Sequence, residues 1–157
     1  MKSGLPGLYP RLWRFALSLS GDRSAADDLA QATALRALEH ADKFQPGTSL
    51  IAWLFTMARR IWLNEKRAER VRTAGGLVAI DDIELPGTGL DSDTNIFARQ
   101  VFDQVMALPE AQRSTVLLVY VEGHTYKETA EILDIPIGTV MSRLAAARAK
   151  IQKAPHV

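Results

Sequence analysis

Cysteine is absent from this chain of 157 residues. Its absence excludes disulfides, thiolate zinc sites, iron–sulfur clusters and thiol nucleophiles together, and it leaves the redox compartment only weakly indicated. No stretch approaches the ~18 uninterrupted apolar residues that a membrane span needs. The start, Met1-Lys-Ser-Gly-Leu-Pro6, lacks the apolar core of a secretory signal. A cytoplasmic protein without membrane insertion is the expectation. The three histidines, His40, His124 and His156, have no acidic cluster beside them at metal-ligand or catalytic-triad spacing. No metal, no cofactor and no catalytic residue is expected, so the chain reads as a non-enzyme.

Overall charge is nearly absent too, at +1, but it is unevenly spread. Residues 1–73 hold 12 Lys/Arg against 7 Asp/Glu, residues 74–98 hold none against 5, and residues 99–157 hold 7 against 6. A basic front, an acidic middle and a near-neutral back imply two modules on a tether, the first facing a polyanion. With 47% hydrophobic and 24% charged residues the composition is that of a globular protein. Halves of this size are each marginal by themselves, which favours partner binding as a source of order. Thr73-Ala-Gly-Gly76 and Leu85-Pro-Gly-Thr-Gly-Leu-Asp-Ser-Asp93 break any helical period, so the expected organisation is 1–73, a flexible acidic linker 74–95, and 96–157. Val78, Ala79 and Ile80 are left open between a brief strand and a docked extended patch.

The first module reads as three helices. Tyr9–Ser20 carries Leu12, Trp13, Phe15, Ala16 and Leu19 and stops at Gly21-Asp22. Ser24 with Asp27 is a capping signature for a second helix to about Ala41. At 100° per residue this helix puts Leu29 and Thr33 on one side and Asp27, Gln31, Leu35 and Leu38 on the other. Apolar groups nearly all round demand two partners, either two neighbours in the bundle or the bundle and another protein.

Phe44–Ser49 forms a loop, and Leu50 to about Arg72 is the longest helix. Its expected buried face is Leu50, Trp53, Leu54, Met57, Ala58 and Ile61. Its other side carries Ala52, Thr56, Arg59, Arg60, Leu63, Lys66, Arg67 and Arg70, flanked by Phe55, Trp62 and Asn64. A charged stripe is ordinarily a solvated face, yet five cations beside aromatics also fit phosphate neutralisation and base stacking.

The second module decides between those meanings. Ile96 to about Ala107 and Pro109–Val121 read as a helical pair with Gly123 as a stop. Thr125 and Glu128 have capping-box spacing, and Asp134-Ile-Pro136 is a turn that ends the helix they start. A last helix runs from about Ile137 to Gln152, with Val140, Leu144, Ala147 and Ile151 facing Ala130 and Leu133. Short helix, tight turn with Ile135 tucked in, and a second helix make a helix-turn-helix. Outward point Ser142, Ala145, Ala146 and Ala149, with Met141 and Arg143 flanking and Arg148 and Lys150 on the shoulders, suited to bases and phosphates. Helix propensity explains the alanines equally well.

Four motifs in order, Asp27-Asp-Leu-Ala-Gln-Ala-Thr-Ala-Leu-Arg-Ala37, Phe44-Gln-Pro-Gly-Thr-Ser-Leu-Ile-Ala-Trp-Leu-Phe-Thr-Met-Ala-Arg59, Leu108-Pro-Glu-Ala-Gln-Arg113 and Gly138-Thr-Val-Met-Ser-Arg-Leu144, resemble bacterial extracytoplasmic-function (ECF) sigma factors of the sigma-70 family. The resemblance spans almost the whole chain. It implies an all-α fold of two small helical domains, sigma domain 2 and sigma domain 4. It further implies a dissociable initiation subunit of RNA polymerase that recognises the minus 10 and minus 35 promoter elements, serving a stress or envelope-response regulon. By resemblance Asp27, Asp28, Leu29, Gln31 and Leu35 contact the core polymerase, at its beta-prime subunit. Phe44, Thr48, Ser49, Thr56, Arg59, Arg60, Asn64, Lys66, Arg67 and Arg70 meet the minus 10 DNA. Thr139, Met141, Ser142, Arg143, Ala145 and Arg148 meet the minus 35 duplex. The implied partners are the polymerase core (beta-prime and beta subunits), promoter DNA and an anti-sigma factor, and the implied acidic connector threads the polymerase's basic RNA path. Ala32, Ala34, Arg60, Met141 and Ala145 depart from the residues common in the family. Two other readings stand beside this one: a sigma-like decoy that sequesters an anti-sigma factor, and a stand-alone DNA-binding regulator.

Overall fold

The computed structural model describes residues 4–72 and 93–153. Every regular element among them is a helix, and contacts divide the chain into two units, residues 1–84 and 85–157. The expected linker and the Val78–Ile80 patch lie outside the described residues, except that Asp93–Asn95, assigned to the linker, already belong to a helix.

In the first unit, α1 spans Leu5–Ser20, α2 Arg23–Glu39 and α3 Leu50–Arg72, with a single 3₁₀ turn at Ala41–Lys43 between the last two. Helix α1 starts four residues before the expected Tyr9, because Pro6 stands in its first turn, where a missing N–H costs nothing. Gly21 ends it in the left-handed conformation (φ 73°) and donates its N–H to Leu17 O at 2.8 Å. That reversal makes room for only one extended residue. Asp22 therefore caps α2, its carboxylate accepting from Ala25 N–H at 2.9 Å, in place of the expected Ser24.

The three helices pack mutually, and the core is asymmetric in size. Helix α2 contributes mostly small side chains (Ala26, Ala30, Thr33 and Ala37, with Leu29), which lets its backbone approach closely. Helices α1 and α3 supply the bulk, Leu12, Phe15, Leu19, Leu54 and Phe55. The Phe15 and Phe55 rings meet with centroids 4.6 Å apart. The buried face of α3 is Ile51, Leu54, Phe55 and Ala58, rotated from the expected one. Trp53, Met57 and Ile61 are only half-buried, and Trp53 packs on Phe44 instead, centroids 5.4 Å apart. After Ala58 no residue of α3 is buried, so the last three turns stand clear of the bundle.

The second unit contains α4 (Asp93–Met106), α5 (Glu110–Val116), α6 (Tyr126–Leu133) and α7 (Ile137–Lys153). Pro109 caps α5, and the helix does not continue regularly to Val121: Leu117–Val121 is a π turn. Gly123 (φ 76°) closes it, with His124 N–H reaching back to Leu118 O at 2.9 Å. The capping box of α6 is complete: Thr125 Oγ1 accepts from Glu128 N–H at 3.0 Å, and Thr125 N–H donates to Glu128 Oε1 at 2.8 Å. Asp134 takes a left-handed conformation (φ 53°) to turn the chain into Pro136 and α7. Leu108, Val116, Val140, Leu144 and Ala147 form the core, with Ala130, Ile135 and Ile151 half-buried around it.

Arg113 is buried in this unit, an unexpected position for a cation. Its Nη1 donates to Leu108 O at 3.3 Å and more loosely to Met106 O at 3.5 Å, satisfying carbonyls where α4 ends and the chain turns into α5. Burial pushes its pKa down, and Glu110 opposes that shift.

Candidate nucleic-acid and partner interfaces

Helix α2 offers a surface because its small residues, with Leu29, face the core and its other large ones do not. Leu35 is 62% exposed and Leu38 40%, with Asp28, Gln31 and Asp27 exposed near the same side. Leu29 is the exception among the five residues assigned to a partner surface. It is 1% exposed, sealed beside Thr33, whose hydroxyl donates to Leu29 O at 2.7 Å. Leu29 therefore lies beneath that surface and is not part of the exposed face. Asp27 is engaged within the unit, since Trp13 Nε1 donates to its Oδ1 at 2.6 Å and ties α1 to α2. Burial and this carboxylate together push the Tyr9 pKa up.

The loop before α3 is built by its own hydroxyls. Thr48 Oγ1 donates to Gln45 O at 2.6 Å, and Ser49 Oγ accepts from Ala52 N–H at 3.2 Å, capping α3. Both side chains remain exposed, and Gly47 takes φ 89° at the tip. Phe44 is half-buried against Trp53, so it lies at the wall of the loop.

Along α3, Thr56 donates to Ala52 O at 2.9 Å and Arg59 is half-buried, whereas Arg60, Asn64, Lys66, Arg67 and Arg70 are exposed. Phe55 does not flank this stripe: it is fully buried, because it shares the face of Ile51 and Ala58. Trp62 lies one turn beyond Ala58 on that face, where the bundle has run out. Lys66 Nζ sits 4.9 Å from its ring centroid and 3.8 Å from Glu69 Oε2, so one cation of the stripe is drawn along the rod by an aromatic face and an acid. Asn64, Arg67, Ala68, Val71 and Arg72 line an open depression near the end of the helix.

In the second unit α7 divides by face. Val140, Leu144 and Ala147 are buried, Met141, Ser142, Ala145 and Arg148 are exposed, and Thr139 and Arg143 are half-buried. Ser142 Oγ donates back to Gly138 O at 3.0 Å, leaving a shallow relief around Ala145. Tyr126, Met141, Ser142, Ala145 and Arg148 line one depression. Sequence reasoning missed Tyr120, whose hydroxyl accepts from Arg148 Nη1 at 2.9 Å. No periodicity marks Tyr120, because Val116–Val121 is apolar or aromatic at every position. It missed Arg113 as well, whose signal is a lone cation in an otherwise apolar pairing of helices.

Exposed cations on one helix and a shallow outward face on a helix-turn-helix suit phosphate contact and groove entry. Among the described residues no three His, Cys, Asp or Glu come together to hold a metal, and no helix is long and apolar enough to cross a membrane. The chain matches the Sigma-70 region 2 model over residues 7–72 and the Sigma-70, region 4 model over residues 98–151. It is 39% identical to the ECF RNA polymerase sigma factor EcfG of Rhodopseudomonas palustris over 159 residues, covering 100% of this chain and 86% of that protein. It is 34% identical to the ECF RNA polymerase sigma factor SigL of Mycobacterium tuberculosis over 139 residues, covering 85% of this chain and 76% of that one. Among solved structures it resembles the sigma factor RpoE of Bartonella quintana, crystallised with the anti-sigma factor NepR. The TM-score is 0.76 at 31% identity, over 97% of this chain and 94% of that one.

Proposed function

Since the chain belongs to the ECF sigma factors of the sigma-70 family, we propose that it binds core RNA polymerase as a non-enzymatic specificity subunit in the cytoplasm and directs it to promoters. The observation that carries this is the division of α7 into a buried face (Val140, Leu144, Ala147) and an exposed one (Met141, Ser142, Ala145), as a groove-reading helix requires.

The first unit supplies the other contacts. Exposed Asp28, Gln31 and Leu35 on α2 meet the polymerase core. The loop at Thr48 and Ser49 and the stripe of Arg60, Asn64, Arg67 and Arg70 hold the minus 10 region as it is opened. An extruded base costs a few kcal/mol of lost stacking, which cationic backbone contacts and a pocket offset. Phe44, Thr56, Arg59 and Lys66 line the same side, while Thr139, Arg143 and Arg148 complete the minus 35 contacts. An anti-sigma factor competes for these surfaces, with exposed Leu35 and Leu38 giving it apolar anchorage.

Run-off transcription with purified core polymerase tests the reading, and the expected result is a defined transcript that depends on this chain. Core binding that never yields open complexes would show a decoy. Duplex binding of nanomolar strength, indifferent to core, would show a stand-alone regulator.

A further inference from the structure

Val116-Leu-Leu-Val-Tyr-Val121 carries no helical register of its own, so packing decides where Tyr120 points. Residues three and four before it, Leu117 and Val116, are both buried, and a regular α-helix would carry Tyr120 toward the same core. The π turn over Leu117–Val121, with its i→i+5 bonding, takes Tyr120 off that face. It ends 55% exposed, with its hydroxyl against Arg148 on the recognition helix.

In that bond the guanidinium donates and the phenol accepts, so the Tyr120 hydroxyl proton stays free to be donated elsewhere. Arg148 borders the depression formed with Tyr126, Met141, Ser142 and Ala145, beside the groove-facing surface. We propose that Tyr120 and Arg148 act as one phosphate-binding unit at the edge of the recognition helix: Tyr120 holds the guanidinium toward a backbone phosphate of the minus 35 duplex and donates its own hydroxyl to the same phosphate. This rests on the promoter-directing reading above. Tyrosine and arginine are both ordinary phosphate donors, and a long side chain already held in place loses less freedom on binding. The Arg148 pKa is raised, by Tyr120 first and by Tyr126 after it, so these neighbours favour its cationic form.

The test uses the full chain assembled with core polymerase and a short duplex that the wild-type assembly selects from a randomised pool, titrated over a range of salt. Tyr120→Phe keeps the ring and removes only the hydroxyl, and it weakens binding about threefold to tenfold without changing the melting temperature. Arg148→Ala lowers the slope of log K against log salt by about 0.9, one phosphate contact. In the Arg148→Ala background Tyr120→Phe costs less than about twofold, because the two act together. Unchanged affinity in Tyr120→Phe, or an equal loss in both backgrounds, overturns the proposal while leaving the promoter reading intact. A wild-type assembly that selects no duplex overturns the promoter reading and this unit with it.

Discussion

The two units divide a helix between core and solvent in different ways. Helix α3 separates its duties along its length: Ile51, Leu54, Phe55 and Ala58 hold the bundle, and everything past Trp62 stands in solvent. Helix α7 separates them around its circumference, with Val140, Leu144 and Ala147 inside and Met141, Ser142 and Ala145 outside within the same turns. A lengthwise division lets the tail of α3 change without disturbing its base. A circumferential division makes each core residue of α7 a determinant of where the reading face points.

The largest effects come from breaking both cores. Phe55→Ala empties the meeting point of α1 and α3 and costs the first unit about 3–5 kcal/mol, and Leu144→Ala costs the second about 2–5 kcal/mol, as chemical denaturation measures. The milder pair sharpens the contrast. Phe55→Leu lowers stability while leaving the salt-dependent DNA contact of the α3 tail unchanged, whereas Leu144→Val lowers both stability and minus 35 affinity. If duplex affinity follows stability equally in the two variants, the distinction between lengthwise and circumferential division fails.

Neutralising the tail tests the same division from the other end. Arg67→Ala with Arg70→Ala changes stability by no more than about 0.5 kcal/mol, since both side chains are exposed beyond the core. Their loss instead lowers the salt slope of binding by about 0.7 per phosphate contact on a single strand and about 0.9 on duplex. A melting temperature that drops by several degrees would mean that the tail is packed, against the exposure seen along 63–72.

Capping and periodicity made much of this architecture legible in the sequence. The Thr125–Glu128 box, the Asp134–Pro136 turn and the inner face of α7 stand where spacing put them. The misses have local physical causes. Asp22 and Ser24 both qualify as caps, and only the left-handed Gly21 decides between them. Leu29 already lay on the Thr33 side by angle alone, so its assignment to a partner surface came from resemblance against its own periodicity. Phe55 was set beside the cations because an aromatic next to a basic stripe looks like a stacking platform, yet it shares a face with Ile51 and Ala58. The π turn had no signature, because a run apolar at nearly every position fits any register.

The smallest effect concerns how α2 and α6 begin. Asp22 caps α2 alone, while Thr125 and Glu128 cap α6 reciprocally. The Thr125 backbone N–H first, and its side chain after it, hold the Glu128 carboxyl below the usual glutamate value. A folded pKa below the unfolded one means that the stabilisation is complete above the ordinary glutamate range and is lost as pH falls through the lowered value. Glu128→Gln keeps an oxygen to accept from Thr125 N–H but cannot titrate. The stability difference between wild type and Glu128→Gln in the second unit is therefore largest near neutral pH and shrinks on acidification below the glutamate range, as thermal melts across pH measure. A difference constant with pH would mean that the reciprocal cap contributes nothing through charge.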